Sequence, residues 1–168
     1  MSNPYKSLPP ERFWSRGVSA NFDRSALVNT HRPLLEVGEK VASAGSCFAS
    51  NVVPYLESAG FPYVRAEQIH PSFASVADKE YGYAAFSAAY GHIYTTRQMI
   101  QLLRRALGQF KPVEDRWRVD GRVIDPFRPG MTYQALGDRE FDALTQQHLE
   151  RVLQAVREAN VFIFTLGL

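Results

Sequence analysis

The stretch KVASAGSCFASNVVPYLESAG, residues 40–60, predicts a buried strand, a sharp turn and a helix in immediate succession. Val41-Ala42-Ser43-Ala44 consists of small and β-branched residues, which is typical of a strand buried on both faces. Gly45-Ser46 interrupts this run and places Cys47, the only cysteine of the chain, at the turn. Beyond Phe48, apolar residues recur at helical spacing at Val52, Leu56 and Ala59.

The predicted position of Cys47 at the start of a helix has chemical consequences. The first backbone N–H groups of a helix have no partner within it, and the helix dipole adds partial positive charge there. Both favour the thiolate, which is the reactive form of cysteine. A nucleophile on a strand–turn–helix elbow is a recurrent device of hydrolases and acyltransferases. The alternative is that Cys47 is a small buried hydrophobe, as free cysteines commonly are.

Composition and charge are those of an ordinary globular protein. Hydrophobic residues make up 45% and charged residues 21% of the 168 residues, which argues against disorder. A net charge of +2 is too small to indicate a nucleic-acid partner. No apolar run reaches the roughly 18 residues that span a bilayer, and the N-terminus lacks the apolar segment of a signal peptide. With a single cysteine, these features predict a cytoplasmic protein without a membrane partner.

The regions on either side of the elbow differ in their signals. Residues 1–39 contain several prolines and no sustained period, which predicts an extended N-terminal arm. Residues 61–64 are interpreted as a short second strand. Thr95 and Gln98 form a capping box in front of a helix. The apolar residues of that helix are Met99, Leu102, Leu103, Ala106 and Leu107, and its polar residues Arg97, Gln101, Arg104 and Arg105 fall largely on other faces.

The last third of the chain adds a hairpin, a helix and a strand. Asp120-Gly121 predicts a two-residue turn, and hence a hairpin insertion near residues 116–125. Asp138 is expected to cap a long helix, and Val161 to Phe164 is the most strand-like run. This alternation over residues 40–168 predicts an α/β three-layer sandwich with a central parallel sheet. We expect the sheet to be incomplete at the C-terminus, because the chain stops where a ligand-binding loop would follow a strand.

Five short motifs resemble one known family in their order along the chain. Residues 45–49, GSCFA, spell the pentapeptide of the GSCFA family, which resembles a branch of the SGNH/GDSL hydrolases. The other four motifs are YAAFS (83–87), YGHIYTTR (90–97), VIDPFRP (123–129) and FIFTLGL (162–168). The resemblance covers about residues 39–168. It implies an SGNH-like domain in which Cys47 stands in the place of the nucleophilic serine, and Ser46 in that of the preceding aspartate.

The resemblance also suggests which groups would stabilise an oxyanion. Gly91 is a backbone N–H donor by position, although a turn glycine would look the same. Family members usually carry asparagine where this chain has His92, which either donates a ring N–H to the oxyanion or only shapes a turn. Gly167 is similar to the glycine that opens the Gly-x-Asn-Asp block of the superfamily. Ser46 completes the set of candidate substrate-binding residues.

A catalytic base is not assigned to any of the four histidines. His31 precedes Arg32 in the N-terminal arm, and His70 precedes Pro71 in a loop. His148 lies on the apolar side of a helix, where a packed and hydrogen-bonded role is favoured. The resemblance implies that the aspartate and the histidine of a triad follow residue 168. The histidines and Cys47 share no metal-ligand spacing, and no nucleotide-binding loop occurs, so that neither a metal nor a cofactor is expected.

These observations leave more than one class of function open. The first hypothesis is an acyl-ester hydrolase or acyltransferase with Cys47 as nucleophile, acting on a small-molecule or glycan acyl group by analogy with the superfamily. The second is a non-catalytic binding module that keeps the fold, which the replacements at Ser46 and His92 favour. A redox-sensing thiol is the third. The sequence does not determine the oligomeric state.

Overall fold

The computed structural model describes residues 3–20, 22–23, 33–69 and 82–166, which belong to two compact units, Met1–Glu36 and Val37–Leu168. The first unit contains a 3-10 turn at Pro10–Arg12 and a π-helical turn at Trp14–Ser19, which the expectation of an extended arm did not include. The elements of the second unit are β1 (Val41–Gly45), α1 (Cys47–Ser58), α2 (Thr96–Ala106), β2 (Trp117–Val119), β3 (Arg122–Ile124), α3 (Asp138–Glu158) and β4 (Val161–Thr165).

The second unit is a mixed α/β structure built on a parallel strand pair. Strands β1 and β4 pair in parallel with Gly45 opposite Thr165. On the other side of β1, Tyr63 forms an isolated parallel bridge with Val41, so that the predicted strand at residues 61–64 is reduced to a single bridged position. All five residues of β1 are buried, as expected of a strand with neighbours on both sides. The prediction of parallel pairing is confirmed.

Helix α1 follows β1 directly, and its apolar residues at helical spacing coincide only in part with its buried face. Its buried residues are Ala49, Val53 and Leu56. Of the apolar residues at helical spacing, only Leu56 is among them: Val52 is half-buried, and Ala59 lies just after the helix and is exposed. Their spacing of seven fits a helix as well as the observed set does, and only packing on the sheet decides which stripe of the helix is covered.

Helices α2 and α3 have different N-caps. The capping box of α2 is confirmed, because the Thr95 hydroxyl accepts from Gln98 N at 3.2 Å and the Gln98 side chain accepts from Thr95 N at 2.9 Å. The N-cap of α3 is Gly137, so the prediction that Asp138 caps this helix is wrong. The Asp138 carboxylate instead accepts from Arg116 at 3.0 Å and from Arg118 at 2.8 Å, since the hairpin brings two guanidinium groups to it.

The hairpin and the core complete the architecture. Strands β2 and β3 pair antiparallel across Asp120 (φ 49°) and Gly121 (φ 75°), as the Asp-Gly dipeptide predicts. Among the described residues, the largest apolar cluster joins β1, α1, the loop that precedes α2, α2 itself and α3; its buried members are Ala44, Ala49, Phe86, Ala88, Tyr90, Ile93, Leu102 and Val152. Among the described residues, no helix is both long enough and apolar enough to cross a bilayer.

Candidate functional site

Cys47 is the first residue of α1, and it is exposed to solvent. The helix begins there because Ser46 is its N-cap: the Ser46 hydroxyl accepts from Phe48 N at 3.3 Å, and the Ser46 carbonyl accepts from Ala49 N at 2.9 Å. The buried Ser46 side chain is therefore engaged in starting the helix. The thiol stands beside the N–H groups that a helix start presents.

Gly45 permits the close approach of the two parallel strands at this end of the sheet. Its φ of 147° lies in a region that favours glycine, and an added Cβ would lie 2.2 Å from Thr165 Oγ1 and 2.5 Å from Thr165 O. Any other residue would push β1 and β4 apart directly below Cys47. Gly45 therefore serves the strand pairing as well as the turn.

The turn after β1 lies where the order of the strands in the sheet reverses direction. After leaving β1, the chain first returns beside it at Tyr63, and then returns on its opposite side as β4. In open parallel sheets, ligands bind at the carboxyl ends of the strands where the strand order reverses in this way. Cys47 lies at that position, which neither its residue type nor its neighbours in sequence could establish.

The segment around His92 is attached by its backbone to the elbow on one side and to a proline-rich loop on the other. Ile93 N donates to Gly45 O at 2.8 Å, and His92 N donates to Pro129 O at 2.9 Å. Gly91 has a φ of 69°, and an added Cβ would lie 1.9 Å from Pro129 O. The structure thus brings together three of the motifs, those at residues 45–49, 90–97 and 123–129. Gly91 and His92 consequently lie next to the elbow in the fold.

The His92 side chain is held by aromatic neighbours and faces a cavity. Its ring packs edge-on against Phe86 with centroids 5.7 Å apart, and lies 6.0 Å from the Tyr94 ring. Its Nδ1 is buried and has no hydrogen-bond partner among the described residues. The cavity has a volume of about 160 Å³, and it is lined by His92, Ile93, Gln98, Gln101, Leu102, Arg105, Pro126, Phe127 and Pro129.

A buried ionic cluster lies below the same loops. The Glu67 carboxylate accepts from Arg128 Nη2 at 3.1 Å, from Ala89 N at 2.8 Å and from His148 Nδ1 at 2.6 Å. Arg128 Nε also donates to Ala89 O at 2.7 Å. These bonds fix the backbone at Ala89, and with it the path of the chain toward Gly91. The cluster is a support of the candidate site and not part of its surface.

The electrostatics of this cluster follow from burial and from the arginine. Burial raises the pKa of Glu67, but the His148 hydrogen bond and the Arg128 charge outweigh it and hold that pKa below the ordinary value. Burial lowers the pKa of His148, and the Arg128 charge adds to this against the opposing effect of Glu67. At neutral pH, His148 is therefore a neutral ring that donates from Nδ1 to a carboxylate.

The other predicted residues divide into two groups. His148 is completely buried and hydrogen-bonded, as its place on the apolar side of α3 predicts. His31, His70 and Gly167 lie outside the described residues. Within the described ranges, no group of three or more potential ligands is placed to hold a metal ion.

Three buried charged residues lie in this region although the sequence did not predict it: Glu67, Arg105 and Arg128. Arg105 was assigned to an outer face of α2, which is wrong, because only 3% of its side chain is exposed. Its position three residues after the buried Leu102 was the available signal. Glu67 gave no such signal, since it lies between Ala66 and Gln68 in a segment without period. Arg128 lies inside a motif that was noticed, but its ionic role was not.

The fold and the site thus define a mixed α/β domain with an exposed cysteine at the carboxyl edge of a parallel strand pair. The chain matches the GSCFA family over residues 40–168, which is most of its length, and it belongs to that family. No curated protein and no solved structure matches the chain.

Proposed function

We propose that this chain has the function of an SGNH-like acyl-ester hydrolase or acyltransferase whose nucleophile is Cys47. The observation that supports the proposal is the exposed thiol at the start of α1, at the carboxyl end of a strand where the sheet order reverses. A three-layer sandwich around the parallel sheet is part of the same proposal. A cytoplasmic location is also part of the proposal, and the single cysteine of the chain fits it.

The proposed reaction has two steps. In the first, the Cys47 thiolate attacks the acyl carbonyl carbon, the alcohol departs with a proton, and a thioester forms on the sulfur. In the second, water or an acceptor alcohol attacks the thioester and releases the thiol. A thioester keeps the acyl group reactive, which favours transfer over hydrolysis. The substrate class is the acyl ester of a carbohydrate or another small molecule, by analogy with the superfamily.

Donors for the developing oxyanion are at hand around the turn. The N–H groups of Phe48 and Ala49 are taken by Ser46, whereas that of Cys47 is among the helix-initial groups without an intrahelical partner. In this proposal the N–H groups of Cys47 and Gly91 receive the oxyanion, and His92 adds a ring N–H. Gly167 keeps its expected role as a further donor, and Ser46 positions the helix.

The test is acylation of the chain by p-nitrophenyl acetate, an activated ester whose leaving group needs no protonation. After incubation at neutral pH, mass spectrometry should find one acetyl group on the peptide that contains Cys47. The Cys47→Ala variant should take up none, while its free energy of unfolding in urea changes by less than about 0.5 kcal/mol, as for other surface positions. Equal acetylation of the native chain and the urea-unfolded chain would show that the elbow does not activate the thiol.

A binding module without catalysis is the alternative, and one feature of the site favours it. Among the described residues, no histidine is hydrogen-bonded to Cys47, and the hydroxyl of Ser46 is used as a helix cap. Iodoacetamide distinguishes the two hypotheses: an activated thiol reacts faster in the folded chain than in the unfolded chain, and an inert one does not. A redox-sensing thiol would instead form a sulfenic acid with peroxide and take up no acetyl group.

A further inference from the structure

An open groove on the outer side of α2 carries two arginines that no carboxylate of the described residues neutralises, and we call it the α2 groove. It has a volume of about 310 Å³ and is lined by Arg97, Ile100, Gln101, Arg104 and Phe110. Both arginines are exposed, and neither forms an ion pair within the described part of the chain. Their charges are therefore available to a group outside this chain.

The segment that forms the groove has a one-sided charge. Residues 91–113 contain three arginines and one lysine but no aspartate or glutamate. Arg105 is buried, so the outward charge of the segment comes from Arg97, Arg104 and Lys111, all of which are exposed. A surface of this kind attracts a partner that carries carboxylates and disfavours one that carries cations.

The rest of the lining favours a partner larger than a small molecule. Ile100 and Phe110 supply the apolar part of the groove, and they are 49% and 40% exposed. Small-molecule sites enclose most of the surface of their ligand, which an open groove of this kind does not do. The Gln101 amide carries both a donor and an acceptor, so it accommodates a polar group of either type.

The spacing of the two arginines matches that of side chains on a second helix. Arg97 and Arg104 are seven residues apart on α2, which is about 10.5 Å along the helix axis, and Ile100 lies between them. A partner helix that lies along α2 places side chains seven residues apart at the same distance. On one face of an extended strand, side chains recur at about 6.6 Å and 13 Å instead.

We propose that the α2 groove binds an acidic amphipathic helix of a partner protein. Two of its carboxylates pair with Arg97 and Arg104, and an apolar side chain between them packs on Ile100 and Phe110. Arginine and aromatic residues are enriched at such interfaces. The proposal goes beyond the chemistry of Cys47 and does not depend on it.

An anionic membrane is a less suitable partner for this surface. A helix that binds a membrane surface inserts its apolar face into the lipid boundary. The apolar face of α2 instead packs inward, where Leu102 is buried, and the apolar residues on its outer side line a concave surface. A concave surface receives a protruding side chain, which a helix supplies and a lipid surface does not.

The experiment is a nuclear magnetic resonance titration of the isotope-labelled chain with a synthetic amphipathic helix of about 18 residues, a length at which an isolated helix forms. The peptide carries two glutamates seven residues apart and two leucines between them. It should shift the signals of Ile100 and Phe110 saturably. A peptide with glutamine for both glutamates should bind about fivefold or more weakly, because two ion pairs are lost.

Three results of this titration would contradict the proposal. The absence of a saturable shift at Ile100 and Phe110 with millimolar peptide, or equal binding of the glutamate and glutamine peptides, would overturn it. Equal binding of a peptide with the same composition but without a common face for leucine and glutamate would overturn the choice of a helix. Sedimentation with phosphatidylserine vesicles is the third measurement, and binding to them with higher affinity than to the peptide would assign the surface to a membrane.

Variants of the exposed arginines locate the binding in the groove. Arg97→Gln/Arg104→Gln should weaken binding of the glutamate peptide about fivefold or more. Arg151→Gln/Arg157→Gln is the matched control, because it removes the same charge from exposed positions on α3 that do not line the groove, and it should leave binding unchanged. Equal weakening by the two double variants would mean that only the net charge of the chain attracts the peptide.

A reversal of charge tests whether the pairing is direct. Arg97→Glu/Arg104→Glu should abolish binding of the glutamate peptide and should bind the peptide in which lysines replace the two glutamates. Both positions are exposed, so the variant is expected to fold. Failure of the lysine peptide to bind this variant would contradict direct contact between the arginines and the carboxylates of the partner.

Discussion

In the described part of the second unit, two arginine–carboxylate pairs lie in the interior, and they differ in how completely they are hydrogen-bonded. Arg128 and Glu67 are 3.1 Å apart, and both bond in addition to the backbone of Ala89. Arg105 and Asp125 are 3.9 Å apart, and each retains a buried atom without a partner in the described residues. A buried charge pair with nearly all its partners in place stabilises one conformation of the loops. A pair that lacks partners leaves buried polar atoms unsatisfied, here the donor Arg105 Nη1 and the acceptor Asp125 Oδ2.

The first prediction breaks the well-paired cluster and has the largest expected effect. Glu67→Gln leaves the Arg128 charge buried without a counterion, which should lower the free energy of unfolding in urea by about 3–5 kcal/mol. Asp125→Asn should cost clearly less, since its pair is already 3.9 Å apart. Glu57→Gln is the surface control, as the Glu57 side chain is 44% exposed, and it should cost less than about 1 kcal/mol. A loss at Asp125 as large as that at Glu67 would remove the distinction between the two pairs.

The second prediction concerns Gly91, whose backbone packs closely against the loop at Pro129. Gly91→Ala must tolerate a φ of 69° and a Cβ placed 1.9 Å from Pro129 O, so the loop has to move. Gly108→Ala has a φ of 70° and open space, so its cost is only the backbone penalty of roughly 1–2 kcal/mol. We expect Gly91→Ala to cost at least about 2 kcal/mol more in urea unfolding. Similar losses in the two variants would show that the Pro129 loop yields freely.

The third prediction sharpens the description of the Glu67 cluster through its pH dependence. The folded chain binds a proton at His148 less readily than the unfolded chain does, because the pKa of His148 is lowered. The free energy of unfolding should therefore fall as the pH is lowered through the ordinary histidine pKa of about 6.5, by at most about 1.4 kcal/mol per pH unit. The lowered pKa of Glu67 acts in a separate window, where stability is lost below about pH 4.5.

His148→Gln isolates this contribution. The other three histidines are present in both proteins, so the difference between the two pH profiles above pH 5 or so belongs to His148. The profile of the variant should be flatter in that range, whatever its absolute stability. Parallel profiles for the two proteins would mean that His148 does not resist protonation in the folded state.

Local signals in the sequence predicted much of the architecture. The elbow at residues 45–47, the capping box of α2 and the Asp-Gly turn each depend on residues within a few positions of one another, and each forms as expected. Which face of each helix is buried was harder to predict from the sequence. The buried stripe of α1 and the burial of Arg105 in α2 depend on what packs against the helix, which helical spacing alone does not reveal.

The residues of the candidate site divide in the same way into those that local signals predicted and those that they did not. Cys47 was found because the only cysteine of the chain follows Gly45-Ser46, where the strand pattern breaks, and Gly91 was found because it lies in a motif that resembles the family. The supporting cluster was not, because Glu67 meets partners that lie 61 and 81 residues further along the chain. No pattern within a helix or a strand links residues at such separations. The same holds for the approach of Pro129 to Gly91 and His92.

The sequence by itself determined the strand, the turn with Cys47 and the helix that follows, since steric limits on backbone torsion and hydrogen-bonded caps operate over a few residues. Only the tertiary structure decided that the turn lies where the strand order reverses, that Glu67 joins Arg128 to His148, and that Arg105 is enclosed without a full set of hydrogen bonds. The physical reason is that burial and charge pairing depend on which distant segments the fold brings into contact, and the residue types leave that open.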